Sequence, residues 1–340
     1  MRAAAPAELG ISLTLTSGRS PVEMGRLAAD AERAGFSTVL VTERVGDVLA
    51  AVPPLIAATS RLTVGTAIAN LYLHPPVLTA MSLASLDEQS GGRFVLGLGV
   101  ANPALNQGIL GLPDVPPLLM AEEYVGMLRA VLTGQPFTGR VLRLPTPLTL
   151  DRPPMRPHPP IHLAALQPGM LALAGRIADG VILTLMSPEQ LARATAVVRA
   201  AATDAGRDPA AVRVVCVLPC CLTDDAHLAQ RAARGVVLRF ARHAAAGRLF
   251  AEHDPGDRMA DVRAALAAGD PAGAAAAVPQ PVADAFVVQG PAGVCRERVA
   301  EYVAAGPDLT VVQPMPVAGT WDGVIEGVIR ELAPAVALPG

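Results

Sequence analysis

Glu43 and Arg44 stand side by side at the end of the apolar run STVLVTE. A carboxylate next to a guanidinium either closes a local ion pair or leaves the arginine to bind an anion or stabilise charge. Arginine keeps its proton under ordinary conditions, so Arg44 is a poor proton shuttle. His74, in LYLHPP, lies in a loop from which it either reaches a substrate or serves surface packing. Asn70 closes LTVGTAIAN and either hydrogen-bonds a ligand or caps the next segment; Asn102 ends FVLGLGVAN and is either a ligand contact or a simple turn residue. In AALQPGML a helix begins near Pro168, and the N–H groups of Gln167, Gly169 and Met170 at its positive end favour an anion. Pro168 itself has no N–H to give. Thr184 adds a hydroxyl near the end of VILTLM or is an ordinary strand threonine, and His162, near the start of IHLAALQ, reads as structural.

These residues fall at the ends of short apolar runs, and the runs alternate with amphipathic Ala/Arg/Glu stretches. Residues 9–15, 37–43, 62–70, 94–100, 161–167, 181–186, 212–222 and 309–315 read as strands. Helices read over 21–35, 75–92, about 121–132, from Met170 and over about 188–205, several opened by Pro and closed by Gly. The two prolines of DVLAAVPPLIAATS imply a broken helix there. Eight fully apolar strands, each followed by helical material, predict a parallel sheet covered on both faces and closed into a (β/α)8 barrel, with an open doubly wound sheet as the alternative. The reading is one domain over 1–340 with insertions at about 103–160 and 223–285. The chemistry of such a barrel gathers at the C-terminal ends of its strands, which is where Glu43, Asn70, Asn102 and Gln167 fall.

The 340 residues are 51% hydrophobic and only 3% aromatic, so the core must be built from Ala, Val and Leu. Net charge is −3 and every basic residue is arginine, with no basic block; a nucleic-acid surface is not expected. No run reaches the length of a membrane span, and no signal peptide is read at the N-terminus. Cys216, Cys220, Cys221 and Cys295 lack metal-ligand spacing and read as small buried hydrophobes in a reducing cytoplasm, with no metal site.

The stretch RLTVGTAIANLYLHPPVLTAMSLASLDEQSGGRFVLGLGVANP resembles the central motif of the bacterial luciferase-like flavin and deazaflavin oxidoreductases. IHLAALQPGMLALAGRIADGVIL, AGRDPAAVRVVCVLPCCLTDD and FVVQGPAGVCRERVAEYVAAG are similar to later blocks of that family, in order. The resemblance implies FMN or, from the phrasing AGRDPAAVR, the deazaflavin coenzyme F420 at the top of the strands. It implies a non-prolyl cis peptide at Ala67–Ile68 against the ring, with the phosphate beyond the fifth strand near Leu166, Gln167, Gly169 and Met170. Two family acid/base positions differ here: Arg44 replaces a histidine, and Asn102 or Pro103 stands where some members carry a glutamate. The implied activity is hydride transfer to or from a largely apolar organic molecule, with Arg44 and Asn70 as polarising groups. An FMN monooxygenase served by a reductase partner is the second reading, and a barrel that has lost redox chemistry the third. A homodimer is the default for the family.

Overall fold

The computed structural model describes residues 8–101, 103–112, 114–241 and 244–334. Eight parallel strands form a ring: β1 (Glu8–Thr14), β2 (Thr38–Thr42), β3 (Thr63–Thr66), β4 (Phe94–Gly99), β5 (Ile161–Ala164), β6 (Gly180–Thr184), β7 (Arg213–Leu222) and β8 (Leu309–Pro314). Each pairs with its neighbours in sequence, and β8 returns to β1 through Leu9↔Thr310 and Gly10↔Val311, which closes the barrel. The closed barrel, not the open sheet, is therefore the fold.

Local chemistry fixes where the helices start. Proline is the first residue of Pro21–Arg33, Pro76–Gln89, Pro117–Thr133, Pro168–Ile177 and Pro188–Asp204, where its preset φ costs nothing and its missing N–H is not needed. Ser20 with Glu23, and Ser187 with Gln190, add reciprocal capping boxes. The stretch around Pro53 breaks as expected, into Val48–Ala51 and Pro53–Ala58. Three details differ from the sequence reading. The third strand is interrupted after Thr66 and resumes as Ala69–Asn70, paired with Leu98 and Gly99 of β4. Val288–Gly290 forms a short extra strand on the end of β7, and Phe137–Thr138 pairs with Arg143–Leu144 in a small hairpin. Two- and three-residue strands bury too little to leave a period in the sequence.

The inside of the barrel is filled by Leu40, Ile182, Val215, Val217, Leu309 and Val311. On the β3–β4 side the fill is backbone. Gly97 lies so close to β3 that a Cβ there would sit 2.0 Å from the Thr66 carbonyl oxygen and 2.7 Å from Ile182 Cδ1. The buried Thr66 hydroxyl clamps the same spot, accepting from Gly97 N at 2.9 Å and donating to Gly97 O at 2.7 Å. Gly97→Ala is expected to destabilise the fold by about 3 kcal/mol, the upper range for overpacking, because backbone rather than a flexible side chain must give way. Urea unfolding checks this; an unchanged midpoint would contradict it.

Lower in the barrel, His162 faces inward in register with Gly97 and Gly180, beside a void of about 10 Å³ shared with Thr38, Thr63 and Arg213. Burial, reinforced by the Arg213 charge and only partly countered by Asp179, pushes the His162 imidazole down to about 4. The folded state therefore binds fewer protons than the unfolded chain between the ordinary value of 6.5 and 4. Stability from this group is intact above pH 6.5 and declines as pH falls toward 4, by about 3 kcal/mol in total. Thermal melts from pH 7 to pH 4 should show this decline, and His162→Leu should flatten it.

After β7, helices from Ala226 to Phe286 pack their own core, including Phe250, Phe286 and Met259, onto Leu185, Met315 and Val317 at the rim. They shelter one side of the barrel mouth.

Candidate active site

The upper interior of the barrel is polar where the middle is not. Ser12, Thr42 and Gln313 point inward above Leu40 and Val311 and form a chain: Ser12 Oγ to Thr42 Oγ1 at 2.9 Å, and Gln313 Nε2 to Thr42 Oγ1 at 3.3 Å. Thr184 donates its hydroxyl to the Val217 carbonyl at 3.0 Å. Beside this floor the Ala67–Ile68 peptide is cis, and both residues are half-buried at the mouth. A Cβ on Gly99 would meet Ile68 Cγ1 at 2.8 Å and Ala164 Cβ at 3.2 Å, so glycine is what lets the β3 backbone enter here. Three residues bearing a Cβ adopt the left-handed region just past strand ends: Ala101 (φ 49°) after β4, Leu185 (φ 52°) after β6 and Ala318 (φ 54°) after β8. Each costs about 1 kcal/mol, and such residues gather where the surroundings enforce a working geometry.

One wall of the mouth is a carboxylate network. Glu43, its side chain 2% exposed, accepts from Asn70 N at 2.6 Å and Val48 N at 3.4 Å and bonds His74 Nε2 at 2.8 Å. Burial pulls the His74 imidazole down, but the Glu43 hydrogen bond and the Glu43 and Asp47 charges outweigh it, and His74 titrates above its ordinary value. His74 is held from behind, since Tyr124 donates its hydroxyl to the His74 carbonyl at 2.8 Å and bonds Thr79 Oγ1 at 2.7 Å. Asn70 is buried, donating to Asn106 Oδ1 at 2.7 Å and accepting from Tyr72 N at 3.2 Å. Its side chain thus links the network to Asn106 and to the backbone of Tyr72.

Across the ring, beyond β5, the helix Pro168–Ile177 opens toward the mouth. Gln167 is its N-cap without a side-chain capping bond, and the first helical bond runs from Leu171 N to Gln167 O at 3.0 Å. The Gly169 and Met170 amides ahead of it take no backbone acceptor among the described residues, and Gly169 is exposed. Unbonded amides at the positive end of a helix suit a phosphate or carboxylate. Leu166 and Gln167 are half-buried beside them.

The sequence-derived residues are therefore only partly brought together. Glu43, Asn70 and His74 form one cluster, Ala67 and Ile68 adjoin it, Leu166, Gln167, Gly169 and Met170 lie beyond β5, and Thr184 ends the next strand, β6. The Glu43–Arg44 ion pair is not formed: the Glu43 oxygens are taken by His74 and backbone, and Arg44 is exposed with no ion pair among the described residues. Asn102 lies outside the described residues. Sequence reasoning missed Asn106, which also donates to Val100 O at 2.8 Å, and Gln313. Gln313 had a signal, a polar residue in the inward parity of Leu309 and Val311; Asn106 had none beyond its place in ANPALN. Among the described residues no group of His, Cys, Asp or Glu is arranged to hold a metal, and no helix is long and apolar enough to cross a membrane.

The chain is a closed (β/α)8 barrel whose third strand is interrupted by a cis peptide and whose fifth is followed by an open helix end. Residues 5–309 match the model of the luciferase-like monooxygenase family, and the chain belongs to that family. It is 30% identical over 292 residues to a 5,10-methylenetetrahydromethanopterin reductase of Methanolobus tindarius, covering 84% of this chain and 88% of that one. The solved coenzyme F420-dependent tetrahydromethanopterin reductase of Methanopyrus kandleri superimposes with a TM-score of 0.81 at 23% identity, covering 96% of this chain and 98% of that one. A solved F420-dependent secondary alcohol dehydrogenase gives 0.73 at 16% identity over the same shares; these two likenesses establish the fold.

Proposed function

We propose that this chain is an oxidoreductase that moves a hydride between coenzyme F420 and an electrophilic C=C, C=N or C–OH/C=O centre of a largely apolar organic molecule. The observation that carries the reading is the presence, on one barrel mouth, of the half-buried apolar Ala67–Ile68 segment packed over Gly99 and of the open Gly169 and Met170 amides beyond β5. A deazaflavin or flavin needs a flat apolar support for its ring and donors for its phosphate, and these two features support such a ligand. The reductase relatives favour the deazaflavin.

Ala67, Ile68 and the Asn70 segment would hold the ring, Leu166, Gln167, Gly169 and Met170 the phosphate, and Thr184 the chain between. When bound, F420 supplies a carbon that gives or takes the hydride. The protein orients the partners and excludes water. Glu43 bonds His74 Nε2, and that bond and its charge lift the titration of His74, which suits His74 to hold a proton at Nε2 and pass it to or from a substrate. Arg44 contributes a fixed positive charge at the rim, and Asn70 holds the network in place.

Val45 and Ile109 are 69% and 70% exposed beyond β2 and β4, which supports an apolar substrate body. Exposed Leu78 and Met81 on Pro76–Gln89 support a homodimer through that helix, and four buried free cysteines support a cytoplasmic location. The family description favours a second reading, an FMN monooxygenase fed by a reductase partner. Paired titrations with F420 and FMN, followed by fluorescence quenching, separate the two: tighter F420 binding is expected, FMN preference selects the monooxygenase, and binding of neither leaves only a non-redox barrel.

A further inference from the structure

The described mouth has a second, strongly positive recess that the cofactor reading does not use. A cleft of about 440 Å³ lies between the helix Ala226–Ala241 and the turn after β8, with Arg231, Gly235 and Arg239 on one side and Pro316, Ala318 and Gly319 on the other. The three helix residues are spaced by four, so they share one face, and Gly235 leaves the space between the two guanidinium groups open. Neither arginine makes an ion pair or hydrogen bond among the described residues, in a chain where Arg19, Arg129, Arg156 and Arg199 do. Asp225, the acid at the start of the same helix, feels the Arg231 charge but forms no ion pair with it, accepting instead from His227 N at 2.9 Å and Leu228 N at 3.0 Å. Partial burial, and more weakly the charge of Arg44 just past β2, pull the Arg239 guanidinium down from its ordinary value. Arg231 and Arg239 thus present two exposed guanidinium groups to one cleft, in a protein of net charge −3, an arrangement that suits a carboxylate or phosphate.

We infer that this cleft is the subsite for an anionic group, a carboxylate or phosphate, carried by the substrate at the end remote from the reacting carbon. The inference rests on the proposed function and narrows it: an apolar body over the ring with an anionic tail at Arg231 and Arg239. Topology separates this anion from that of the cofactor. The cleft lies beyond the ends of β7 and β8, on the β1 side of the ring, whereas the Gly169 and Met170 amides lie beyond β5, opposite β1. One ligand's phosphate cannot serve both ends while its ring stays between them. Ala318, held at φ 54° between Pro316 and Gly319, fixes the wall facing the arginines.

The test uses n-hexyl phosphate and 1-hexanol as probes, titrated calorimetrically at low ionic strength into the full chain and into Arg231→Gln/Arg239→Gln. The expected result is a loss of about tenfold or more in hexyl phosphate affinity in the double variant. Hexanol and F420 should bind both proteins alike, and Arg231→Lys/Arg239→Lys should recover most of the loss. Equal hexyl phosphate affinity in wild type and double variant would overturn the inference. So would weaker binding of F420 to the double variant with unchanged binding of the deazaflavin riboside, which lacks phosphate and tail; the arginines would then serve the cofactor. If arginine-dependent hexyl phosphate binding persists in a protein that takes up neither F420 nor FMN, the anion subsite stands and the oxidoreductase reading fails.

Discussion

Replacing Glu43 by Gln is expected to move the titration of His74 from above 6.5 to below it and to cost the fold about 3 kcal/mol. Two opposing effects act on His74. Burial favours the neutral ring, and the Glu43 carboxylate favours the charged one through a 2.8 Å bond and its charge. Gln removes the charge and leaves burial nearly unopposed, with only the more distant Asp47 on the other side. The stability cost arises because Glu43 is 2% exposed and also receives Asn70 N and Val48 N; an amide oxygen answers one of these well, not all. Following the His74 ring proton by NMR across pH, alongside urea unfolding, gives both numbers. Because the folded pKa of His74 is raised, its contribution to stability is complete below the unfolded value near 6.5 and is lost as pH climbs through the folded one. In Glu43→Gln that upper decline should vanish. A variant in which His74 still titrates above 6.5 would show that Glu43 is not its partner.

Gly169→Asp is expected to weaken F420 and FMN binding about tenfold to a hundredfold while leaving the protein at least as stable as before. The position is exposed, and among the described residues a new Cβ would meet only Leu118, with Cδ1 at 3.1 Å, the end of a side chain that is itself exposed. A carboxylate in the first turn of Pro168–Ile177 is favourable to the helix by about 0.5 kcal/mol. The same charge repels a phosphate drawn to the Gly169 and Met170 amides. Few substitutions separate binding from folding so cleanly: melting temperature and cofactor affinity should move in opposite senses. Undiminished affinity for both cofactors would place the phosphate elsewhere.

The barrel was legible in the sequence because its strands are buried on both faces and so appear as uninterrupted apolar runs, while prolines mark the helix starts at Pro21, Pro76 and Pro188. The cis bond at Ala67–Ile68 was legible only through family resemblance; GTAIAN contains no local feature that demands it. The partners of Glu43 were not legible. Adjacent in sequence, Arg44 was the obvious one, yet successive residues leaving a strand point apart, and the chain brings His74 and Asn70 N to Glu43 from the next strand and its loop. The arginine cleft was invisible for a related reason: Arg231 and Arg239 face the turn at Ala318 only because the inserted helices fold back onto Leu185 and Val317 at the rim. Contacts between inserted segments and the barrel are long-range and leave no period to read.

The central claim is that one ligand lies across this mouth with its ring at Ala67–Ile68 and its phosphate at the start of the helix after β5. Backbone amide NMR of the labelled protein during titration with F420 tests it directly. Large shifts are predicted for the Gly169 and Met170 amides together with those of Ile68, Ala69 and Gly99. Saturable F420 binding with these resonances unmoved, and shifts confined to some other part of the chain, would contradict it.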